Sequence, residues 1–249
     1  MPTLCPCGSG LKLIDCCVSH DIADIKNKNV NAPQNSKRRQ WAQRYLKYKA
    51  ILNEQITEAQ EDYTRSIGKK IPCKPGCSMC CNEFIAARLE ECDAIAMYLY
   101  SDPLLMQTFI INYHDWHERL SSGDNILEKT TVSYQTLFKT RNPNDKKMCD
   151  AYILKYAETY TPCPFLKDDK CLIYPIRPFV CSVYCVLSDK KYCDPRSHKQ
   201  APTEHVKLKS ATHPLSFENT YYTDLQGRTI LGAMPKMVYD ILRHGPPAV

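Results

Sequence analysis

Four cysteines lie within the first seventeen residues of this 249-residue chain, at Cys5, Cys7, Cys16 and Cys17. Two close pairs of thiols offer the four soft ligands that a tetrahedral zinc ion takes. The Gly-Ser-Gly string after the second cysteine lets the chain fold back tightly between the pairs. So short a segment cannot bury a core of its own, so metal binding must supply its folding free energy. We therefore predict a zinc site in residues 1–20.

The spacing C-x-C-x8-C-C, with Gly-Ser-Gly after the second cysteine, closely resembles the SEC-C motif known from the C-terminus of the SecA translocation ATPase. The resemblance implies one zinc held by Cys5, Cys7, Cys16 and Cys17. Some members of that family use histidine as the last ligand, so His20 is an alternative to Cys17. The resemblance also implies an adaptor that contacts other proteins or the ribosome and that is not catalytic.

A second set of cysteines falls into two groups about eighty residues apart. These groups are Cys73, Cys77, Cys80 and Cys81, and then Cys163, Cys171 and Cys181. Two dense groups so far apart are best explained if the fold brings them together on metal, and thiolates favour zinc or an iron–sulfur cluster. The thiols exceed the four that one zinc or one four-iron cluster needs, so either two metals bind or some cysteines support the ligands or are redox-active. Cys185 and Cys193 are further candidates.

The strings C-x-x-G-C-x-x-C-C, C-P-F-L, C-x-I-Y and R-P-x-x-C resemble the YkgJ-type cysteine-cluster family, described as a zinc- or iron-chelating domain. The resemblance covers roughly residues 70–190 and implies that the two groups above are the ligands. An arginine commonly follows the last cysteine in that family, whereas this chain has Ser182. This departure weakens any arginine-dependent function at that position.

An enzyme is the alternative to a purely metal-binding protein. Flagellin lysine methylases carry a similar cysteine cluster, so the resemblance admits methyl transfer to protein lysines. Cys73, Cys77 and Cys80 also have the spacing of the radical S-adenosylmethionine motif, but the strand–helix alternation of its barrel is missing. The nearest acids, Glu83 and Asp168, lie outside the motifs, and no general base is evident. We therefore favour a structural, adaptor or redox-sensing role over catalysis.

We make separate predictions for five other residues. Arg177 can donate hydrogen bonds to the thiolates and offset their charge, or lie on the surface. Cys92 and Cys149 fall in helical patterns and are predicted to be buried core thiols. His114 and His117 lie three residues apart on a predicted helix, and we expect an exposed pair rather than metal ligands.

The composition points to a reducing compartment. Fifteen cysteines, an odd number that includes adjacent pairs, argue for metal ligands rather than disulfides. The N-terminus has no apolar stretch typical of a secretory signal, and no apolar run approaches the ~20 residues of a membrane span. We therefore expect a cytoplasmic protein without a membrane span.

Helical periodicity dominates the rest of the chain. A helix of about thirty residues is predicted from Ser36, basic in its first half, and its charges suit either a solvated face or an acidic partner such as nucleic acid. Shorter helices are predicted near residues 90–100, 105–120, 124–140, 145–160 and 235–243, the fourth of them capped near Asn144 or Asp145. Prolines in residues 163–193 exclude a regular helix there.

The predicted fold class is mainly α, with irregular cysteine-rich loops organised around metal and a small zinc motif at the N-terminus. We divide the chain into a zinc motif at 1–20, an Asn-rich flexible linker at 21–35 and a helical cysteine-cluster domain at 36–249. The metal core of that domain is expected at about residues 70–193.

Overall fold

The computed structural model describes residues 4–5, 7–28, 36–68, 71–186, 189–194, 203–205 and 230–246. Within these ranges the chain is mainly α, as predicted from the sequence. The α-helices are α1 Cys17–Lys28, α2 Ser36–Ile67, α3 Leu89–Ser101, α4 Pro103–Ser121, α5 Ile126–Thr140, α6 Pro143–Ala157, α7 Phe179–Val183 and α8 Met234–His244. Short 3-10 helices cover Leu13–Asp15, Met79–Asn82, Tyr174–Ile176 and Lys190–Cys193.

The described strands are short, and each forms an antiparallel pair with one other strand. They are β1 Ala86–Arg88, β2 Leu166–Lys167, β3 Lys170–Cys171, β4 Tyr184–Val186, β5 Thr203–His205 and β6 Leu231–Ala233. β1 pairs with β6, β2 with β3, and β4 with β5. The first pairing ties the start of α3 to the start of α8, because α3 follows β1 directly and α8 follows β6 directly.

Polar caps fix where the central helices begin. The Asp102 carboxylate accepts a hydrogen bond from the Leu105 amide over 3.0 Å at the start of α4. Asn142 does the same for α6, accepting from the Asn144 amide over 2.9 Å, with proline as the first helical residue. The cap of α6 is therefore Asn142, and the expectation of Asn144 or Asp145 was wrong by a few residues.

The main core lies between α1, α3, α4 and α8. The Trp116 indole of α4 donates to the Tyr156 hydroxyl of α6 over 3.0 Å, which joins α6 to this core. Tyr113 of α4 stacks on Tyr239 of α8 with ring centroids 4.0 Å apart. Cys92 and Cys149 are fully buried, which confirms their prediction as core thiols.

The linker prediction was wrong for residues 21–28, which belong to α1. Val18, Asp21 and Ile25 recur at helical spacing and are buried, so this face of α1 packs into the main core. The asparagine-rich composition concealed that spacing. Residues 29–35 of the predicted linker lie outside the described residues.

The prolines of the second cysteine-rich segment do not exclude a helix. α7 begins directly after Pro178 and is short. Proline lacks the N–H that the first turn of a helix leaves unbonded, so it precedes a helix without cost.

None of the described helices is both long enough and apolar enough to cross a bilayer.

Candidate metal centres

The four N-terminal cysteines form a compact cluster. The sulfur atoms of Cys5, Cys7, Cys16 and Cys17 all lie within 4.8 Å of one another. Cys5 and Cys17 approach to 3.2 Å, and Cys7 and Cys16 to 3.5 Å. Zinc–sulfur bonds of about 2.3 Å in a tetrahedron place sulfurs roughly 3.8 Å apart, so the donor set fits one zinc ion.

The backbone around this cluster explains why the spacing works. A β-bridge between Leu4 and Lys12 and a hydrogen bond from the Cys5 amide to the Leu11 carbonyl, 2.8 Å long, close a tight loop. Gly8 and Gly10 have φ angles of 80° and 74°, a region that other residues rarely adopt. The loop therefore returns the chain to a point from which the next two cysteines face the first two.

The thiols of this cluster differ in their pKa values. A hydrogen bond from Ser9, joined by one from Cys5, lowers the pKa of Cys7 to about 6. Burial and the neighbouring Cys5 raise the pKa of Cys17 to about 12. Metal ligation needs thiolates, so Cys7 is ready to bind at neutral pH, whereas Cys17 must release its proton to water as it binds the metal.

His20 is exposed and does not belong to this cluster, whose fourth member is Cys17. The histidine alternative suggested by the resemblance is therefore not supported by the arrangement of the ligands.

The cluster is attached to the core through Asp21, one turn into α1. The buried Asp21 carboxylate lies 2.7 Å from His114 Nε2 of α4, accepts from the Tyr239 hydroxyl of α8 over 2.7 Å, and pairs with Arg243 of α8. Arg243 also reaches Asp24 over 3.1 Å. These contacts join the N-terminal motif to two helices of the main core.

His114 and His117 are half-buried, so the expectation of an exposed pair was wrong. His114 contacts Asp21, and His117 lies 3.3 Å from the Ser121 hydroxyl. Burial lowers the pKa of both imidazoles.

The two central cysteine groups meet at one cavity of about 60 Å³. Six cysteines line it, namely Cys77, Cys80, Cys81, Cys163, Cys171 and Cys181. The Cys163 amide donates to the Cys81 carbonyl over 2.7 Å, which joins the 3-10 helix Met79–Asn82 to the start of the second group. Apolar side chains form the rest of the wall, among them Ile85, Phe165, Ile173 and Met234.

The other nearby cysteines lie outside that lining. Cys73 lines a separate open groove against α2, and its sulfur accepts a hydrogen bond from the Val186 amide over 3.2 Å. Cys193 is half-buried, and its pKa is raised to about 12 by burial and by the nearby Cys73 and Cys77. The side chain of Cys185 lies outside the described residues.

The central thiols are strongly influenced by burial. It raises the pKa of Cys163 to about 12 and that of Cys181 well above its ordinary value. Cys80 differs from these two, because a hydrogen bond from Cys81 lowers its pKa to about 7. A metal that displaces the protons would leave several negative sulfurs in a largely apolar wall.

The two sites differ in how closely their sulfurs approach. Among the described residues, the N-terminal cysteines are the only group of three or more metal-binding side chains whose ligand atoms all lie within 4.8 Å of one another. The central sulfurs are spread around a cavity with room for more than one water-sized group. A single tetrahedral ion therefore fits the first site better than the second.

Arg177 lines the central cavity and does not lie free on the surface. Its guanidinium carbon lies 4.0 Å from the centre of the Tyr174 ring. Its Nε is buried and has no hydrogen-bond acceptor among the described residues. The expected place beside the thiols is thus correct, and the free N–H is available to a group inside the cavity.

Sequence reasoning missed Lys49, one of the basic residues of α2 that were expected on a solvated face or on a surface for an acidic partner. Its side chain is fully buried, and its ammonium donates to the Ser182 hydroxyl over 3.0 Å. The position of Lys49 in the helix could have indicated its burial, because Tyr45, Lys49 and Leu52 follow one another at helical steps on the buried face.

Comparison of the chain with models of known protein families, with curated proteins and with solved structures finds no match in any of the three.

Proposed function

We propose that this protein binds metal at two cysteine sites and that the N-terminal site holds one structural zinc ion. The observation that carries the proposal is the mutual approach of the sulfurs of Cys5, Cys7, Cys16 and Cys17 to within 4.8 Å. An all-thiolate tetrahedral site has no open position for water, which suits a structural role better than a catalytic one.

Elemental analysis of the full chain, purified without oxygen, tests this proposal. We expect Cys7→Ser to lose one zinc per chain, because three remaining thiolates hold the ion more weakly. Cys149→Ser is the matched control, since that thiol is buried outside both sites. Equal zinc in the wild-type and Cys7→Ser chains would reject the proposal.

The central site is proposed to hold a centre with more than one metal atom, either an iron–sulfur cluster or a zinc–thiolate cluster. Two observations support it: six cysteines share one cavity, and they are spread more widely than the N-terminal four. The resemblance to YkgJ-type proteins points the same way. Thiolates supply the soft, negative ligands that both kinds of centre require.

A visible absorption spectrum with metal and sulfide analysis separates the two kinds of centre. An iron–sulfur cluster gives a coloured protein with acid-labile sulfide, whereas zinc gives a colourless one. A wild-type chain that carries only the N-terminal zinc would reject the central site.

The role that these sites support best is structural, redox-sensing or adaptor-like. The resemblance to the SEC-C motif favours contact with a protein or the ribosome, and Leu4, Leu11 and Ile14 around the zinc site are exposed. Co-sedimentation with ribosomes, comparing the wild type with Leu11→Ser, tests the ribosomal form of this role. Binding that is absent, or unchanged in Leu11→Ser, would count against it.

Methyl transfer to protein lysines remains the alternative, and the six-cysteine cavity is the observation that favours it, since flagellin lysine methylases carry a similar cluster. The test is transfer of methyl groups from S-adenosylmethionine to lysine-containing proteins. Turnover that disappears in Cys77→Ser and Cys80→Ser, with the fold intact, would favour the enzyme over the structural role.

A further inference from the structure

Two positively charged side chains lie close to the central cavity. Arg177 lines the cavity directly, and Lys49 lies behind the segment that carries Cys181. Lys49 is fully buried, although lysine almost never is unless its charge is compensated. Its burial therefore needs a negative partner.

The hydrogen bonds of Lys49 do not supply that partner. Among the described residues its ammonium donates to the neutral Ser182 hydroxyl, which in turn lies 3.2 Å from the Pro178 carbonyl. Burial lowers the pKa of Lys49 to about 8, as expected for an ammonium without a hydrogen-bonded carboxylate.

Glu91 is the carboxylate whose charge raises the pKa of Lys49, and it also accepts hydrogen bonds from other groups. One oxygen of Glu91 accepts from the Tyr45 hydroxyl over 3.2 Å and from the Phe179 amide over 2.7 Å, and the other accepts from the Arg88 amide over 3.3 Å. Glu91 therefore compensates part of the Lys49 charge through space, shares its own charge with three neutral donors, and makes no direct ion pair with Lys49.

The central cavity offers the other place for a compensating negative charge. Ser182, which accepts from the Lys49 ammonium, directly follows Cys181, and Arg177 lines the same cavity as six cysteines. Lys49 and Arg177 repel each other, as the effect of Arg177 on the pKa of Lys49 shows. Two such cations near one cavity, one buried and one half-buried, are stabilised together by an anionic centre bound in it.

We propose that Lys49 and Arg177 are the counter-cations of an anionic metal–thiolate centre in the central cavity, and that they determine its affinity for such a centre. The proposal rests on the central site put forward above. Lys49 stabilises the negative charge of the centre electrostatically, without a hydrogen bond to it. Arg177 in addition presents its free Nε–H to a sulfur of the centre.

The test compares charge-removing with charge-keeping variants in the full chain as isolated. Lys49→Met removes the ammonium at similar length, and Lys49→Arg keeps a positive charge. Lys129→Met is the matched control, because Lys129 is an exposed lysine paired with Asp124. The measurement is the rate at which a chelator removes metal from each protein, with Cys7→Ser used to identify the N-terminal phase.

We expect Lys49→Met to release the central metal about tenfold faster, while release from the N-terminal site stays unchanged. Lys49→Arg and Lys129→Met should behave like the wild type. After metal is stripped, Lys49→Met should melt no lower than the stripped wild type, because a buried ammonium without its anion costs free energy. A purely structural lysine would instead lower the melting temperature with and without metal.

Equal release from Lys49→Met and the wild type would overturn the proposal, and so would release from Lys49→Arg as fast as from Lys49→Met. If Lys49→Met does not fold, Arg177→Gln and Arg177→Lys make the same comparison at the cavity wall, with faster release expected from Gln alone. A wild-type chain that as isolated carries no metal beyond the N-terminal zinc overturns the central site itself and this inference with it.

Discussion

The Asp21 carboxylate accepts a hydrogen bond from the Tyr239 hydroxyl over 2.7 Å, although the two residues are separated by 218 positions in the chain. Asp21 lies one turn beyond Cys17 on α1, and Tyr239 lies in the middle of α8. This contact, with the Arg243 pair beside it, attaches the N-terminal motif to the core by buried polar groups as well as by apolar packing. The motif is consequently part of the main core and not a detached appendage.

Replacing Asp21 by Asn should destabilise the protein by about 2 kcal/mol, because it removes the buried carboxylate that pairs with Arg243 and accepts from Tyr239, and leaves Arg243 only the more exposed Asp24. Thermal unfolding of the full chain measures the effect. Asp15→Asn is the control, since Asp15 is exposed. An Asp21→Asn protein as stable as the control would show that the contact contributes little.

Gly8 should tolerate only residues that accept its backbone conformation. At a φ of 80°, Gly8→Ala is expected to cost about 1 kcal/mol and to weaken zinc binding, whereas Gly8→Asn should cost less because asparagine visits this region. Among the described residues, and apart from the two chain neighbours of Gly8, no atom lies within 4 Å of an added Cβ, so any loss comes from the backbone and not from a clash. Competition with a zinc-binding dye measures the affinity, and an equal loss in both variants would contradict this explanation.

Cys163 should be essential for the central metal, because it joins both groups at the cavity. Cys163→Ser is expected to reduce the metal content of the central site while leaving the N-terminal zinc in place. Cys92→Ala is a suitable control, since Cys92 is fully buried against α8, where its thiol lies 3.9 Å from the Met234 carbonyl. The measurement is the metal content per chain of each variant. Retention of the central metal in Cys163→Ser would show that Cys163 is not one of its ligands.

His117 should make the protein less stable in mild acid. Burial lowers its pKa below 6.5, as do the nearby Lys236 and His114, so the folded state prefers the neutral imidazole. As pH falls through the ordinary value, the unfolded chain takes up the proton first, and the folded state loses free energy relative to it. We expect the fall in melting temperature between about pH 7.5 and about pH 5.5 to be smaller in His117→Gln than in the wild type.

His20→Gln serves as the exposed control for that measurement. A pH dependence identical in the wild type and His117→Gln would assign the acid sensitivity to other groups.

The sequence was sufficient for most helices and for the N-terminal cluster, because both depend on local spacing. The four cysteines of that cluster lie close together in the sequence, and α2 to α6 follow apolar periodicity, with polar side-chain caps at the starts of α4, α5 and α6. Residues 21–28 were misread because asparagine and lysine concealed a buried face whose partners, α4 and α8, are distant in sequence.

The lining of the central cavity could not be predicted from local sequence patterns. The cysteine strings indicated that the two groups meet, but not which sulfurs face the same space, so Cys73 and Cys181 looked equivalent. Lys49 was not recognised as buried, although it lies at a helical step between Tyr45 and Leu52, because charge suggests exposure and the compensating groups come from α3 and α7. The helical pattern places a residue on a face, but tertiary packing decides whether a lysine on that face is buried.

The pairing of Asp21 with Arg243, 222 residues later, also has a consequence for protein synthesis. The ribosome makes the cysteine cluster and α1 long before it makes α8, against which α1 packs. Until α8 follows, the apolar face formed by Val18 and Ile25 lacks this part of its cover, while the four cysteines of the cluster are already present. Contacts this distant in sequence form late and slowly, so α1 stays undocked from α8 while the intervening residues are translated.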